Sequence, residues 1–388
     1  MLIYEYKVDG SKRQCAGIEE AIRTVQFIRN KCLRKWMDER GVCKNDVQCS
    51  CAHLAKEYPF AARLNSQARQ ASADRAWFAI QRFYDKCKQH QPGKKGFPRF
   101  QQDNRSVEYK TTGWKLDDDG KHIRFTDGCG IGRLRLVGNP KQHIETFPRK
   151  QIKRVRLVRR ADGYYVQFSV QAQRRVEHIP TGKQVGIDVG LKAYYTDSQG
   201  STIENPRHFR KAEKQLKRFH RHLSRKQKGS KNRLRARKRL AKASLKVQRQ
   251  REDFARKQAN ALVTSSDVIA YEHLEIRNMV KNHHLAKSIH DAGWGIFLHW
   301  VKAYGVMHDI PVIAVPPQFT SQRCSACGTL VKKSLSVRTH ICTSCGLVLD
   351  RDQNAALNIL AKALDRTVGH TGTHGSSVRR LGTVSLLW

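Results

Sequence analysis

The sequence predicts a mixed α/β chain of two or three structural units, and three patterns carry that expectation. Apolar residues recur every three or four positions through much of the first hundred residues. They alternate every second position over about 106–173, and beyond 180 short buried-strand patterns flank a long helical stretch. At 388 residues, each unit has enough sequence to bury its own core.

A short alternating strand comes first, with Leu2, Tyr4 and Tyr6 on one face. Ile18, Ile22, Val25, Ile28, Cys32 and Trp36 then stand three and four apart, the mark of one amphipathic helix. A second helical region over residues 60–88 carries Leu64, Ala68, Ala73, Ala76, Ile80 and Phe83, and stops before the loop QPGKKGFPRF. From 106 to 173 the period-two segments VEYKTTGWKLDDDGKHIRF and VRLVRRADGYYVQFSVQ predict an antiparallel β unit, with Asp162-Gly163 as a hairpin turn. Its polar faces are rich in Lys and Arg, which suits a platform for phosphates.

A boundary falls near HIPTGK, after which QVGIDVGLKAYYTDSQG reads as buried strand, turn and strand. Residues 207–257 follow with 22 basic and three acidic side chains. Phe209, Leu216, Phe219 and Leu223 precede a break at Gly229-Ser230, and Leu234, Leu240, Leu245 and Phe254 follow it, so the stretch predicts a basic helical hairpin. Residues 366–388 are rich in Gly, Ser and Thr and predict a flexible tail.

Lys and Arg total 74 against 33 acids, a formal charge of +41 spread through a chain that is 39% hydrophobic. Such a balance favours a polyanion as partner, because each neutralised phosphate releases counterions. Nucleic acid is the first expectation and an anionic membrane surface the alternative. The start MLIYEYKVDGSK lacks the pattern of a secretory leader, and no window approaches the ~20 apolar residues of a membrane span. The expectation is a soluble, cytoplasmic protein without a membrane partner.

Eleven cysteines are too dilute for a disulfide scaffold in a chain of this length. Cys324-x-x-Cys327 and Cys342-x-x-Cys345, fourteen residues apart, match the spacing of a four-cysteine zinc ribbon, each pair followed directly by a glycine (Gly328, Gly346). With all four positions filled by protein, such a Zn²⁺ folds the module and leaves no open coordination site. Cys43, Cys49, Cys51 and His53 could form a second metal site, but none of these cysteines is paired at C-x-x-C spacing.

Three acids interrupt apolar elements. Asp188 sits inside VGIDVG, Glu272 ends the run Val268, Ile269, Ala270, Tyr271, and Asp350 and Asp352 precede a helix striped by Leu357, Leu360 and Leu364. Each has a modest explanation: a strand-end turn, a surface ion-pair partner, and a helix cap. As a set in so basic a chain they fit another purpose, carboxylates holding two Mg²⁺ ions, one activating water and one stabilising a leaving oxygen in phosphodiester hydrolysis.

At these residues the sequence becomes specific. GIDVG, YEHL, the four-cysteine ribbon and DRDQNAALNI, with GKKGFPRF and LAKSIHDAGWGIF, resemble the TnpB family of transposon-encoded RNA-guided endonucleases, relatives of type V CRISPR effectors. The resemblance implies a RuvC-like catalytic triad at Asp188, Glu272 and Asp352 binding Mg²⁺, leaving Asp350 as the cap. It implies Zn²⁺ on Cys324, Cys327, Cys342 and Cys345, and makes Arg338 a candidate grip on the scissile phosphate, with a solvated ribbon arginine as the alternative.

The implied fold is a helical recognition lobe (15–100) inserted in an antiparallel β-barrel wedge (1–14 and 101–180), joined to an RNase H-like nuclease unit (181–318). A zinc-ribbon insertion (319–349) and a final helix (350–365) complete that unit. The implied partners are a guide RNA and a double-stranded DNA target cut beside a short recognition motif, with the protein nucleoid-associated on its target; the oligomeric state stays open, a monomer being favoured. Two alternatives share much of this sequence: a nuclease-silent RNA-guided repressor, and a transposase.

Overall fold

Along β1 (Leu2–Asp9) the side chains of Leu2, Tyr4, Tyr6 and Val8 are buried and their neighbours more exposed, the alternation of a strand with one covered face. In this computed structural model, residues 1–90, 92–138, 147–172, 174–334, 337–368 and 386–387 are described. The chain divides into two units, residues 1–173 with the carboxyl-terminal end, and residues 174–382.

In the first unit, α1 (Lys12–Asp38) starts at a capping box in which Ser11 and Gln14 satisfy each other's backbone donors. Helices α2 (Lys44–Glu57), α3 (Pro59–Ala62) and α4 (Ser66–Lys88) follow before the chain returns to strands. Ile18, Ile22, Val25, Ile28, Cys32, Leu64, Ala68, Ala76 and Ile80 are buried, as their spacing requires. Burying each of the larger of these contributes about 1.5–3 kcal/mol. Two details differ from expectation. The 60–88 region breaks in two around the Asn65 cap, and α2 was not foreseen, because its stripe of Val47, Cys51 and Leu54 is short and partly cysteine.

Strands β2 (Ser106–Tyr109), β3 (Trp114–Leu116), β4 (His122–Phe125), β5 (Gly132–Val137), β6 (Ile152–Arg160) and β7 (Gly163–Val170) complete an antiparallel sheet with β1. Their order is β2-β6-β7-β1-β5-β4-β3, with Leu386–Leu387 adding a parallel pairing beside Leu2 and Ile3. The helices are thus an insertion between β1 and the rest of its own sheet. The hydrogen-bonded path ends at β2 on one side and the three-residue β3 on the other, so the pairing among the described residues does not show the expected closure into a barrel. The β6–β7 turn consists of Ala161 and Asp162; Gly163 already pairs with Arg160, one residue earlier than the Asp-Gly signal suggested.

The second unit is built on β8 (Gln184–Val189), β9 (Ala193–Asp197), β10 (Thr202–Glu204), β11 (Val268–Glu272) and β12 (Val312–Val315), in the order β10-β9-β8-β11-β12. The first three are antiparallel; β8, β11 and β12 are parallel. Between β10 and β11 the chain makes the basic hairpin, α5 (His208–Ser224) and α6 (Lys231–Thr264). Ser230 caps α6 at the expected break, and Leu216, Leu240 and Val247 close the seam with Phe219 and Leu223. Helices α7 (Ile276–Met279), α8 (His283–Ala292) and α9 (Trp294–His308) connect β11 to β12. Tyr194 packs edge-on against Phe254 and Phe297, tying β9 to α6 and α9.

The ribbon hairpin β13 (Thr339–Ile341) and β14 (Val348–Asp350) leads directly into α10 (Arg351–Val368). Most of the predicted tail lies outside the described residues. None of the described helices is long and apolar enough to cross a membrane.

Candidate functional site

Parallel register brings the first two acids together. Tyr271 stands opposite Ile187, so the next residues stand side by side near the carboxyl edge of the sheet, Glu272 as the last residue of β11 and Asp188 as the last but one of β8. That edge is where open α/β sheets present ligand groups. Asp352 arrives from the first turn of α10, which packs over β11 and β12 through Ala270, Val315, Ile359 and Ala363 and lies against β8 at Gly186.

Close approach of that helix depends on Gly186, whose Cα faces the α10 backbone at Ala356 and Leu360. One face of α10 also fastens the chain before and into the ribbon. Asn354 Nδ2 donates to the Arg323 carbonyl at 2.8 Å while its Oδ1 accepts from Ser325 N at 3.0 Å. One turn on, Asn358 donates to the carbonyls of Thr320 (2.8 Å) and Arg323 (2.7 Å). A turn further, Lys362 donates to Gln318 O at 2.5 Å. These three positioning residues escaped the sequence reading. Their signal was a polar i, i+4, i+8 row set among the apolar residues of the helix, a pattern that needs backbone partners when buried.

The electrostatics of the cluster are those of crowded like charges. Burial raises the Asp188 carboxyl well above its ordinary range, and the charges of Glu272 and Asp352 push it further the same way. Glu272 is also raised by burial, against the hydrogen bond from the Thr320 hydroxyl and the Lys362 ammonium, which favour its charged form. Asp352 is held by cations: Arg338 Nη1 at 3.1 Å and Arg351 Nη2 at 2.9 Å. Asp350 Oδ1 accepts from the backbone N–H of Asp352 (2.8 Å) and Gln353 (3.3 Å), the capping task that leaves Asp352 free for other work.

Among the described residues, two groups of three or more His, Cys, Asp or Glu have ligand atoms all within 4.8 Å of one another: the four ribbon cysteines, and Asp117, Asp119 and His122. The three acids lie within electrostatic reach but not at that separation, with Asp352 turned to its arginines and Glu272 to Thr320. Cys43, Cys49, Cys51 and His53 do not form such a group; the Cys43 backbone is bonded to the Asp46 carboxylate and Cys51 donates to the Arg69 carbonyl.

The ribbon has two matching knuckles. Gly328 N donates to Cys324 O and Gly346 N to Cys342 O, with both glycines at positive φ (77° and 73°), where a side chain would be strained. The sulfurs of Cys324 and Cys345 lie 3.6 Å apart and those of Cys327 and Cys342 3.5 Å apart. A tetrahedral Zn²⁺ with Zn–S bonds of ~2.3 Å needs sulfurs separated by ~3.8 Å, so the four residues fit that ion.

Comparison with known proteins agrees with this layout. Residues 167–283 match the OrfB_IS605 family, described as "Probable transposase", and residues 294–359 match the Cas12f1-like TNB domain. A Streptomyces pristinaespiralis protein named "Putative RNA-guided DNA endonuclease" is 38% identical over 186 residues, 47% of this chain and 46% of that relative. That alignment therefore spans about half of the relative's length. The Escherichia coli K12 protein "Putative RNA-guided DNA endonuclease InsQ" is 28% identical over 282 residues, 68% of each chain. The fold is similar to that of Cas12f1 in its complex with sgRNA and target DNA, with a TM-score of 0.51 at 15% identity, over 90% of this chain and 81% of that one.

Proposed function

We propose that this chain, which resembles the TnpB family, is an RNA-guided DNA endonuclease, hydrolysing phosphodiester bonds of a target duplex with one RuvC-like site. The observation that carries the reading is the meeting of Asp188 and Glu272 at adjacent strand ends, with Asp352 close enough to raise Asp188 further. A desolvated carboxylate, Asp188, repelled by two others in a chain of charge +41 makes sense if a divalent cation neutralises them. Their hard oxygen donors suit Mg²⁺. Asp188, Glu272 and Asp352 would hold two such ions, which when bound activate water and stabilise the leaving oxygen.

The chain's own residues supply the rest. Thr320 holds Glu272 by a hydrogen bond, and the charge of the Lys362 ammonium also favours its ionised form. Asn354 and Asn358 keep the ribbon root on α10, so that the zinc module and Asp352 move as one piece. Arg338, across from Asp352, is placed to transfer its guanidinium from carboxylate to a scissile phosphate when a strand arrives. The strand order β10-β9-β8-β11-β12, three antiparallel and two further parallel, supports an RNase H-like assignment for 181–318. In this reading residues 15–100 are the recognition lobe and the sheet of 1–14 and 101–180 the wedge. A guide RNA specifies the target by base pairing, while protein groups read backbone and shape.

The test is purification with co-expressed RNA, followed by incubation with plasmid targets and Mg²⁺. Asp188→Ala should abolish cutting, by a factor of about 10³ or more if several kcal/mol of charge stabilisation are lost, while RNA still co-purifies. Undiminished cutting by that variant would reject the site. Joined strands as products, in place of cut ends, would favour the transposase reading.

A further inference from the structure

Far from the three acids in sequence, the first unit contains a second concentration of charge. Glu108 on β2 is 3% exposed and accepts four hydrogen bonds from three guanidiniums. Arg154 Nη1 lies at 2.7 Å, Arg156 Nη2 at 2.5 Å and Nε at 3.1 Å, and Arg75 Nη2, reaching from α4, at 3.1 Å. Burial pushes the Glu108 carboxyl up, but the charges of Arg75 and Arg156 overcome it and hold it at about 2.

One arginine would neutralise this carboxylate, and Arg75 alone would lock α4 to the sheet. The other two leave an excess of two positive charges in a partly desolvated place. Burial and the repulsion of Arg154 and Arg156 all disfavour the charge on Arg75. The next acid along the same row of the sheet, Glu5, accepts from Arg160 and Gln167. The acid is at the bottom and the cations above it: the Arg154 and Arg156 side chains are each 41% exposed. Their planar forks are held in place before any ligand arrives, at an electrostatic cost that an anion would relieve.

We propose that Arg154, Arg156 and Arg75, fixed by the buried Glu108, form a preorganised subsite for the phosphodiester backbone of a nucleic acid, with Glu108 as its positioning residue. The site deepens the nucleic-acid reading above but does not depend on cleavage.

The experiment measures binding of the full chain against salt concentration in two arms. One uses the RNA that co-purifies from expressing cells, stripped and labelled. The other presents a target duplex to the RNA-loaded protein. Arg154→Gln/Arg156→Gln should lower the slope of log K against log salt by ~1.4 to ~1.8, two phosphate contacts' worth, in whichever arm the site serves. Exchange of the exposed Arg135, which pairs with Asp9 on the same sheet, should change it less. An unchanged slope in both arms overturns the proposal.

Glu108→Gln separates positioning from bulk charge. It makes the protein more positive, so general electrostatics predicts tighter binding, whereas loss of the clamp predicts weaker binding by about tenfold. Unchanged or tighter binding by a variant with a wild-type melting curve rules out the positioning role. If that variant does not fold, the double arginine exchange alone decides. Failure of the wild-type complex to cut DNA would sink the nuclease reading without altering these slopes.

Discussion

Gly186 and the carbonyl of Ala356 are in backbone contact. A β-carbon at position 186 would overlap that oxygen and stand 2.8 Å from the Leu360 nitrogen. Strand β8, which carries Asp188, and helix α10, which carries Asp352, can lie this close only without a side chain between them. Gly186→Ala should therefore destabilise the second unit by about 1–3 kcal/mol and shift Asp352 outward. A displacement near 1 Å costs about a hundredfold in rate, so cleavage should fall more than stability alone explains. Thermal melts and single-turnover cleavage check both; wild-type rates would mean α10 tolerates the shift.

The raised Asp188 carboxyl has a pH consequence. A folded-state value above the ordinary 3.8 means the native protein binds that proton more readily than the unfolded chain, so its contribution to stability falls as pH rises above about 4. Asp188→Asn, which cannot ionise, should melt higher than the metal-free wild type at pH 7.5, by ~2–4 °C for each 1 kcal/mol relieved. The gap should shrink toward pH 4 and on adding Mg²⁺ to the wild type. A pH-independent gap would contradict this account.

Arg338 Nη1 donates to Asp352 Oδ2 at 3.1 Å. Removing it should have opposite effects on two quantities: Arg338→Gln lets cations reach Asp352 more easily, lowering the half-saturating Mg²⁺ concentration, while the maximal cleavage rate drops by roughly tenfold or more for the lost charge-assisted bond. No change in either would reduce Arg338 to a surface ion pair.

Cys342→Ser removes one of the four clustered thiols whose spacing fits a zinc ion. Zinc content should drop from one per chain, protease sensitivity should appear within 319–349, and target loading should suffer more than RNA retention. Absence of zinc from the purified wild type would remove the basis for this expectation.

How much was legible varies by element. The α1 stripe, the alternation of β1 and the hairpin broken at Ser230 were readable because each pattern is local and matches the period of its own backbone. The cysteine ribbon was readable because both pairs lie within tight turns. Helix α2 was missed because its stripe of Val47, Cys51 and Leu54 is short and one of the three is a cysteine. The Asp162-Gly163 turn came out one residue early because the Arg160–Gly163 pairing leaves only Ala161 and Asp162 in the loop. Asn354, Asn358 and Lys362 were missed because their partners are carbonyls 31 to 46 residues away.

By itself the sequence determined the charge, the periodicities, the metal-ligand spacing and the candidate acids, all properties of residue type or of neighbours within a few turns. The tertiary structure alone decided that Glu272 stands beside Asp188 and that two arginines hold Asp352; in it Asp350 takes the cap position that the resemblance implied. Acids 84 and 80 residues apart are brought together only by the register of parallel strands and by a helix lying on a glycine. Those are long-range packing facts that no local pattern encodes.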